Sequence, residues 1–166
     1  MPVLISLTIL LIVWIKYESS KTERLSQKSS DSFWKREQDA QHTRNQSLDS
    51  ISFFQIEPTS FPLCETPDLE LEELQATLSQ LANKDMANLS SYTNTELKLT
   101  FGIARFQYLS DCDANFFSLM KTLDSLGDYY IRHNKPDTAK IFLEYAVSHE
   151  TELRHTYEQL ETLTVA

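Results

Sequence analysis

Near the C-terminus, His149-Glu150-Thr151-Glu152-Leu153-Arg154-His155 sets two imidazoles and two carboxylates within seven residues. These are the side chains that ligate divalent metals. The zinc-protease pattern needs its second histidine four residues after the first; here it follows six residues on, and the pattern fails. Glu152 and His155 form one Glu-x-x-His turn of the kind used by carboxylate-bridged di-iron bundles. Those sites take two such turns and two further glutamates on facing helices, and the sequence has no second turn. The cluster therefore reads as a solvated polar face beside a turn, with no metal and no cofactor expected. Cys112 stands between Asp111 and Asp113, whose charges raise a thiol pKa and oppose a reactive thiolate. Cys64 and Cys112 match no metal or redox spacing; a reduced pair is the simple reading, and a disulfide stays open if the domain lies outside the cytoplasm. No phosphate loop, nucleophile elbow or kinase signature occurs, and two glycines could hardly build one. The expectation is a protein that is not an enzyme.

Binding is the chemistry that remains. The formal net charge is −9 over 166 residues, and it is unevenly placed. Residues 16–46 hold seven Lys/Arg against five Asp/Glu, whereas residues 47–166 hold eight against nineteen. So acidic a domain repels phosphate backbones, which argues against nucleic acid as a partner. A length of 166 residues allows one domain with appendages.

The elements that could present a binding surface centre on Leu119 to Val147. Leu119, Met120, Leu123, Leu126, Tyr130 and Ile131 recur mostly three and four apart and mark one apolar helix stripe. Ala139, Phe142, Leu143, Ala146 and Val147 mark a second. Between them Pro136 suits a first helical turn, where its missing N–H is harmless. Gly127, mid-helix, is disfavoured by about 1 kcal/mol relative to Ala, which makes sense if another backbone approaches there opposite Ala139 and Ala146.

Leu126, Gly127, Tyr130, Ala139, Leu143 and Ala146 fall at the spacing of the tetratricopeptide repeat, a helix–turn–helix unit of about 34 residues. The chain resembles that family over one repeat. Leu123 stands at the usual Trp position and Thr151 at the usual terminal Pro. A second repeat is partial, with Tyr157 and Leu160 at its first large positions, and an upstream one fails where Arg105 replaces a small residue. A plain helical hairpin in a bundle is the competing architecture. The resemblance implies a groove lined by the first helix of each repeat, here at Lys121, Asp124, Asp128, Ile131 and Arg132. The acidic pair departs from the Asn and basic residues of peptide-carboxylate clamps, so a ligand with some positive charge suits this face better.

Upstream, residues 2–15 carry no charge and reach about 23–26 Å as a helix with their flanks, slightly short of a ~30 Å hydrocarbon core. Trp14 and Tyr17 suit an interfacial belt, and Lys16 can snorkel. A cleaved signal or an interfacial helix competes, but no basic residue precedes the run and no small-residue cleavage site comes after it. Lys16, Lys21, Arg24, Lys28, Lys35 and Arg36 all lie beyond the run, which places the body in the cytoplasm. Glu18, Glu23 and Asp31 work against that bias.

Residues 18–31 read as a tether. A short helix from Phe33 to Arg44 carries Phe33, Trp34, Glu37 and Ala40 near one face. It serves as a juxtamembrane or partner-binding element, or simply packs its aromatics on the domain or the lipid. Residues 48–63, with Ile51, Phe53, Phe54, Ile56 and Phe61 and two prolines, predict an extended apolar strap without a sheet to join. This order of anchor, aromatic helix, strap and helix pair resembles small membrane-anchored proteins of clostridia-type bacteria, a likeness that implies no activity. Thr66 predicts a cap with Pro67 at the first helical position, Leu71 to Leu81 a stripe, and Thr93 to Glu96 a capping box. A helix with Leu97, Phe101, Ala104 and Tyr108 inward is expected to break at Ser110-Asp-Cys-Asp.

The fold class predicted is all-α: a transmembrane helix at 1–17, a tether and strap at 18–64, and a tetratricopeptide-like stack of about five helices at 65–166. The function predicted is a non-catalytic adaptor at the cell membrane, single-pass, holding a protein partner, with a homo-oligomer open through the last helix. The alternative is a structural subunit of a larger membrane complex with no free groove.

Overall fold

The structure, a computed structural model, describes residues 14–18, 21, 27–28, 30–40, 46–64 and 68–165. Among these the chain is helical, with no strand beyond one isolated antiparallel bridge between Phe54 and Met86. The helices are α1 (Leu69–Leu81), α2 (Asn94–Phe101), α3 (Ile103–Arg132), α4 (Pro136–Ser148) and α5 (Arg154–Val165), preceded by a helical segment at 30–40. No described helix is long and apolar enough to cross a membrane, and most of the span expected at 1–17 lies outside the described residues.

Local signals account for several boundaries. Thr93 and Glu96 close the reciprocal capping box that opens α2, and Pro136 occupies the first turn of α4. The cap of α1 is Asp68, whose carboxylate accepts from the Glu70 N–H at 3.0 Å, so the helix starts later than Thr66-Pro67 predicted; Thr66 itself lies outside the described residues.

The expected break at Ser110 to Asp113 does not occur, and the chain breaks instead at Gly102, with φ 88°. That left-handed value suits glycine alone at no steric cost. The kink rephases the helix beyond it: Ala104 and Tyr108, expected inward, are exposed, while Leu109 and Cys112 are buried. Burial of those two side chains outweighs the weak helix propensity of Ser and Asp. The Asp113 carboxylate also accepts from the Leu89 N–H at 3.2 Å, tying the loop before α2 to the uninterrupted helix.

At 30 residues α3 is about 45 Å long and serves two cores. Its first part, through Leu109 and Cys112, packs with Ala87, Leu89, Leu97 and Phe101. Its second part, Phe116 to Tyr130, packs with α1, with Phe142 and Ala146 of α4, and with Ile56 and Phe61. Residues 46–63 thus lie along the helices, and the Gln55 amide and the Tyr108 hydroxyl both donate to Asp85. At 30 residues α3 is longer than the first helix of a 34-residue helix–turn–helix unit can be. Gly127 faces the Leu143 side chain, not a bare backbone.

Candidate functional site

The residues singled out on α3 are largely engaged within the chain. Asp124 accepts from Thr156 Oγ1 at 2.8 Å and lies 3.0 Å from His155 Nδ1. Asp128 accepts from Arg132 Nε at 3.0 Å and from the Gln159 amide at 3.5 Å. Arg132 also bridges to Glu70 on α1, Ile131 packs half-buried on the main core, and Lys121 is exposed. Leu123, Leu126, Gly127, Tyr130, Ala139, Leu143 and Ala146 are all buried. The last helix therefore covers Asp124, and its carboxylate serves as a docking point for α5.

That contact carries a pH dependence. The hydrogen bond to Asp124 raises the His155 pKa above its ordinary 6.5, with further attraction from the charges of Asp124, Asp128 and Glu158, against a smaller opposing effect of burial. A raised folded-state pKa favours the protonated form in the native protein. The stabilisation is therefore full below about pH 6.5 and fades as pH rises through the higher folded value. Thermal midpoints of wild type and His155→Gln should differ most at about pH 6 and converge as pH rises through the folded-state value. The gap should be small, since the ring is more than half exposed. A gap that widens with pH would contradict the assignment.

Among the described residues an open concavity lies elsewhere, where three separate segments meet. Ser50, Ile51, Ser52 and Phe54 form one wall, Asn88 to Tyr92 the second, and Ser148 to Glu150 the third, around a cleft of about 430 Å3. Glu150 sits at φ 57°, and its carbonyl accepts from the Asn88 amide at 3.2 Å, which joins two of the walls. His149 lies between Phe54 and Tyr145, with ring centroids at 4.6 and 4.4 Å. Its Nδ1 lies 3.0 Å from the Tyr145 carbonyl oxygen and 3.1 Å from Ser148 Oγ. Across Asn88 and Ser90 lies a smaller notch of about 140 Å3, lined by Phe116, Phe117, Met120, Leu153, Asp113 and Glu152 among others. Phe117 stands at its edge, 58% exposed.

No group of three or more His, Cys, Asp or Glu is placed to hold a metal ion among the described residues. His149 is bound into an aromatic stack and His155 to Asp124, so the two histidines near the C-terminus point to different tasks. Cys64 and Cys112 are both free. Burial is the main cause raising the Cys112 thiol pKa, with Asp85 and Asp111 adding to it and a hydrogen bond with Tyr108 opposing. Of the cleft, His149 and Glu150 carried a sequence signal as members of a candidate metal cluster, and Ile51 and Phe54 one as part of the apolar strap. Asn88 and the serines showed no more than a loop composition. No protein-family model matches the chain, and neither a curated protein nor a solved structure matches it.

Proposed function

We propose that the chain is a single-pass membrane protein, anchored by its uncharged N-terminal run, whose helical body holds a protein partner at the cytoplasmic face without chemistry of its own. The observation that carries this reading is the cleft between residues 50–54, 88–92 and 148–150, continued by a notch with an exposed phenylalanine at its edge. Glu150, Glu152 and Asp113 border it, on a part of the chain with nineteen acidic and eight basic residues. A segment offering one apolar side chain beside a basic one suits that surface. The tetratricopeptide-like half of α3 with α4 is the scaffold under it, and the exposed Trp14 and Tyr17 at the end of the apolar run suit a bilayer interface.

Phe117 and Glu152 are exposed, and neither belongs to a core. Phe117→Ser with Glu152→Lys should therefore shift stability by no more than about 0.5 kcal/mol. The same change should strip the partner crosslinked to the full-length protein in its own membranes. Charge reversal at Asp124 is a poorer probe, because it breaks the docking of α5. A stoichiometric, detergent-stable complex indifferent to the double change would overturn the adaptor reading in favour of a structural subunit.

A further inference from the structure

The helical segment at 30–40 is held to the body through its second half. Ala40 is fully buried, and Glu37, one turn earlier, forms an ion pair with Lys98 of α2 and accepts from the Thr95 hydroxyl at 3.0 Å. The paired ammonium is the largest cause holding the Glu37 carboxyl below its ordinary pKa. Phe33 continues the same stripe, at i and i+4 with Glu37, yet is 53% exposed. Exposure thus rises along one face from Ala40 to Phe33, which means that the N-terminal turn overhangs the domain. Trp34, 65% exposed, meets Phe33 edge to face at 5.6 Å between centroids.

We infer that this overhang is a second lipid contact, in which Phe33 and Trp34 enter the interface of an anionic leaflet while Lys28 and Lys35 meet its headgroups. The inference rests on the membrane anchor proposed above and adds to it a fixed orientation of the body. Charge selects the occupant: residues 16–46 are net basic on a chain of net charge −9, so this end is drawn to an anionic surface from which the body is repelled. Reach selects it too. Sixteen residue-to-residue steps lead from Tyr17 to Phe33, at most about 55 Å of extended chain, so the pair cannot leave the neighbourhood of a bilayer that holds residues 2–15. Exposed Trp beside Phe and basic residues is the composition of an interfacial helix. Docking through Glu37 and Ala40 makes the contact rigid, so it would set which way the body faces above the membrane.

The chain has two tryptophans, which allows each contact to be read separately. Full-length Trp14→Phe leaves Trp34 as the only indole, and Trp34→Phe leaves Trp14. Each is reconstituted in vesicles of phosphatidylglycerol with phosphatidylcholine brominated near the headgroup end of its acyl chains. The expected result is loss of Trp34 fluorescence relative to unbrominated lipid, with a blue-shifted emission, and less quenching when phosphatidylglycerol is omitted. Quenching of Trp14 without quenching of Trp34 would overturn this inference and leave the anchor standing. A blue-shifted but unquenched Trp34 would overturn it in favour of a protein contact. Quenching of Trp34 that ignores phosphatidylglycerol would overturn the anionic assignment. If Trp14 is unquenched, the anchor itself falls.

Discussion

Phe142→Ala is expected to lower the stability of the helical body by about 3–5 kcal/mol, near the top of the range for a single core truncation. The ring is fully buried and lies parallel between two others: Phe61 at 5.6 Å and 6°, and Tyr130 at 5.5 Å and 7°. Offset stacking of this kind adds about 0.5–1.5 kcal/mol per pair beyond the area buried. The stack joins three parts of the chain, since Phe61 belongs to the strap, Tyr130 to α3 and Phe142 to α4. Its loss should therefore free residues 54–63 as well as loosen the hairpin. The thermal midpoint should fall by more than about 10 °C, and amide exchange at Phe54 and Met86, whose backbones bridge, should quicken. Exposed Ile141 next door is the control, with Ile141→Ala expected to stay within about 0.5 kcal/mol. A Phe142→Ala protein as stable as that control would refute the packing described.

Gly127→Val should be nearly as damaging, for the opposite reason. A Cβ at Gly127 would stand 2.5 Å from Leu143 Cδ2, 2.8 Å from Leu143 Cγ and 3.2 Å from Gln159 Oε1. Carbon atoms settle at about 3.5–4.0 Å, so α3 and α4 would have to part or Leu143 would have to leave its rotamer. Leu143 is fully buried and has nowhere to go, while Gln159 Oε1 is already buried without a hydrogen-bond partner among the described residues. Alanine regains up to about 1 kcal/mol of helix propensity against an overpacking loss of about 1–3 kcal/mol, so its net effect is small and unfavourable. Valine keeps the overlap, adds two methyls and lacks most of that propensity, for an expected loss of about 3 kcal/mol. Urea midpoints should rank wild type above Ala above Val. Leu143→Ala vacates the contested space, so Gly127→Ala should be better tolerated in that background. Strict additivity of the two changes would show that the Leu143 contact is not what requires glycine.

The apolar stripes of α1, α3 and α4, Pro136 in its first turn and the Thr93–Glu96 box could all be read from the sequence. Each depends on residues within about one or two helical turns of one another, where backbone geometry alone brings the partners together. The all-α class comes from the same local periodicities. The exposed Phe33–Trp34 pair was half legible: its helix face could be drawn, but not where along that face the domain surface ends.

What the tertiary structure decided lies across longer separations. That α3 runs through Ser110-Asp-Cys-Asp depends on Leu109 and Cys112 being buried and on Asp113 meeting the Leu89 N–H, and no neighbour in sequence reports either. The mark of the true break, Gly102, is local, but its φ of 88° becomes compelling only once the residues beyond it have a core to face. Asp124 looked like an open ligand-binding carboxylate because its partners, His155 and Thr156, stand 31 and 32 residues away. The cleft is assembled from segments beginning near Ser50, Asn88 and Ser148, and nothing local to any of them says that the three meet. Periodicity tells a helix which face to bury; which distant side chain then takes each remaining carboxylate, N–H or hollow is settled only when the helices have packed.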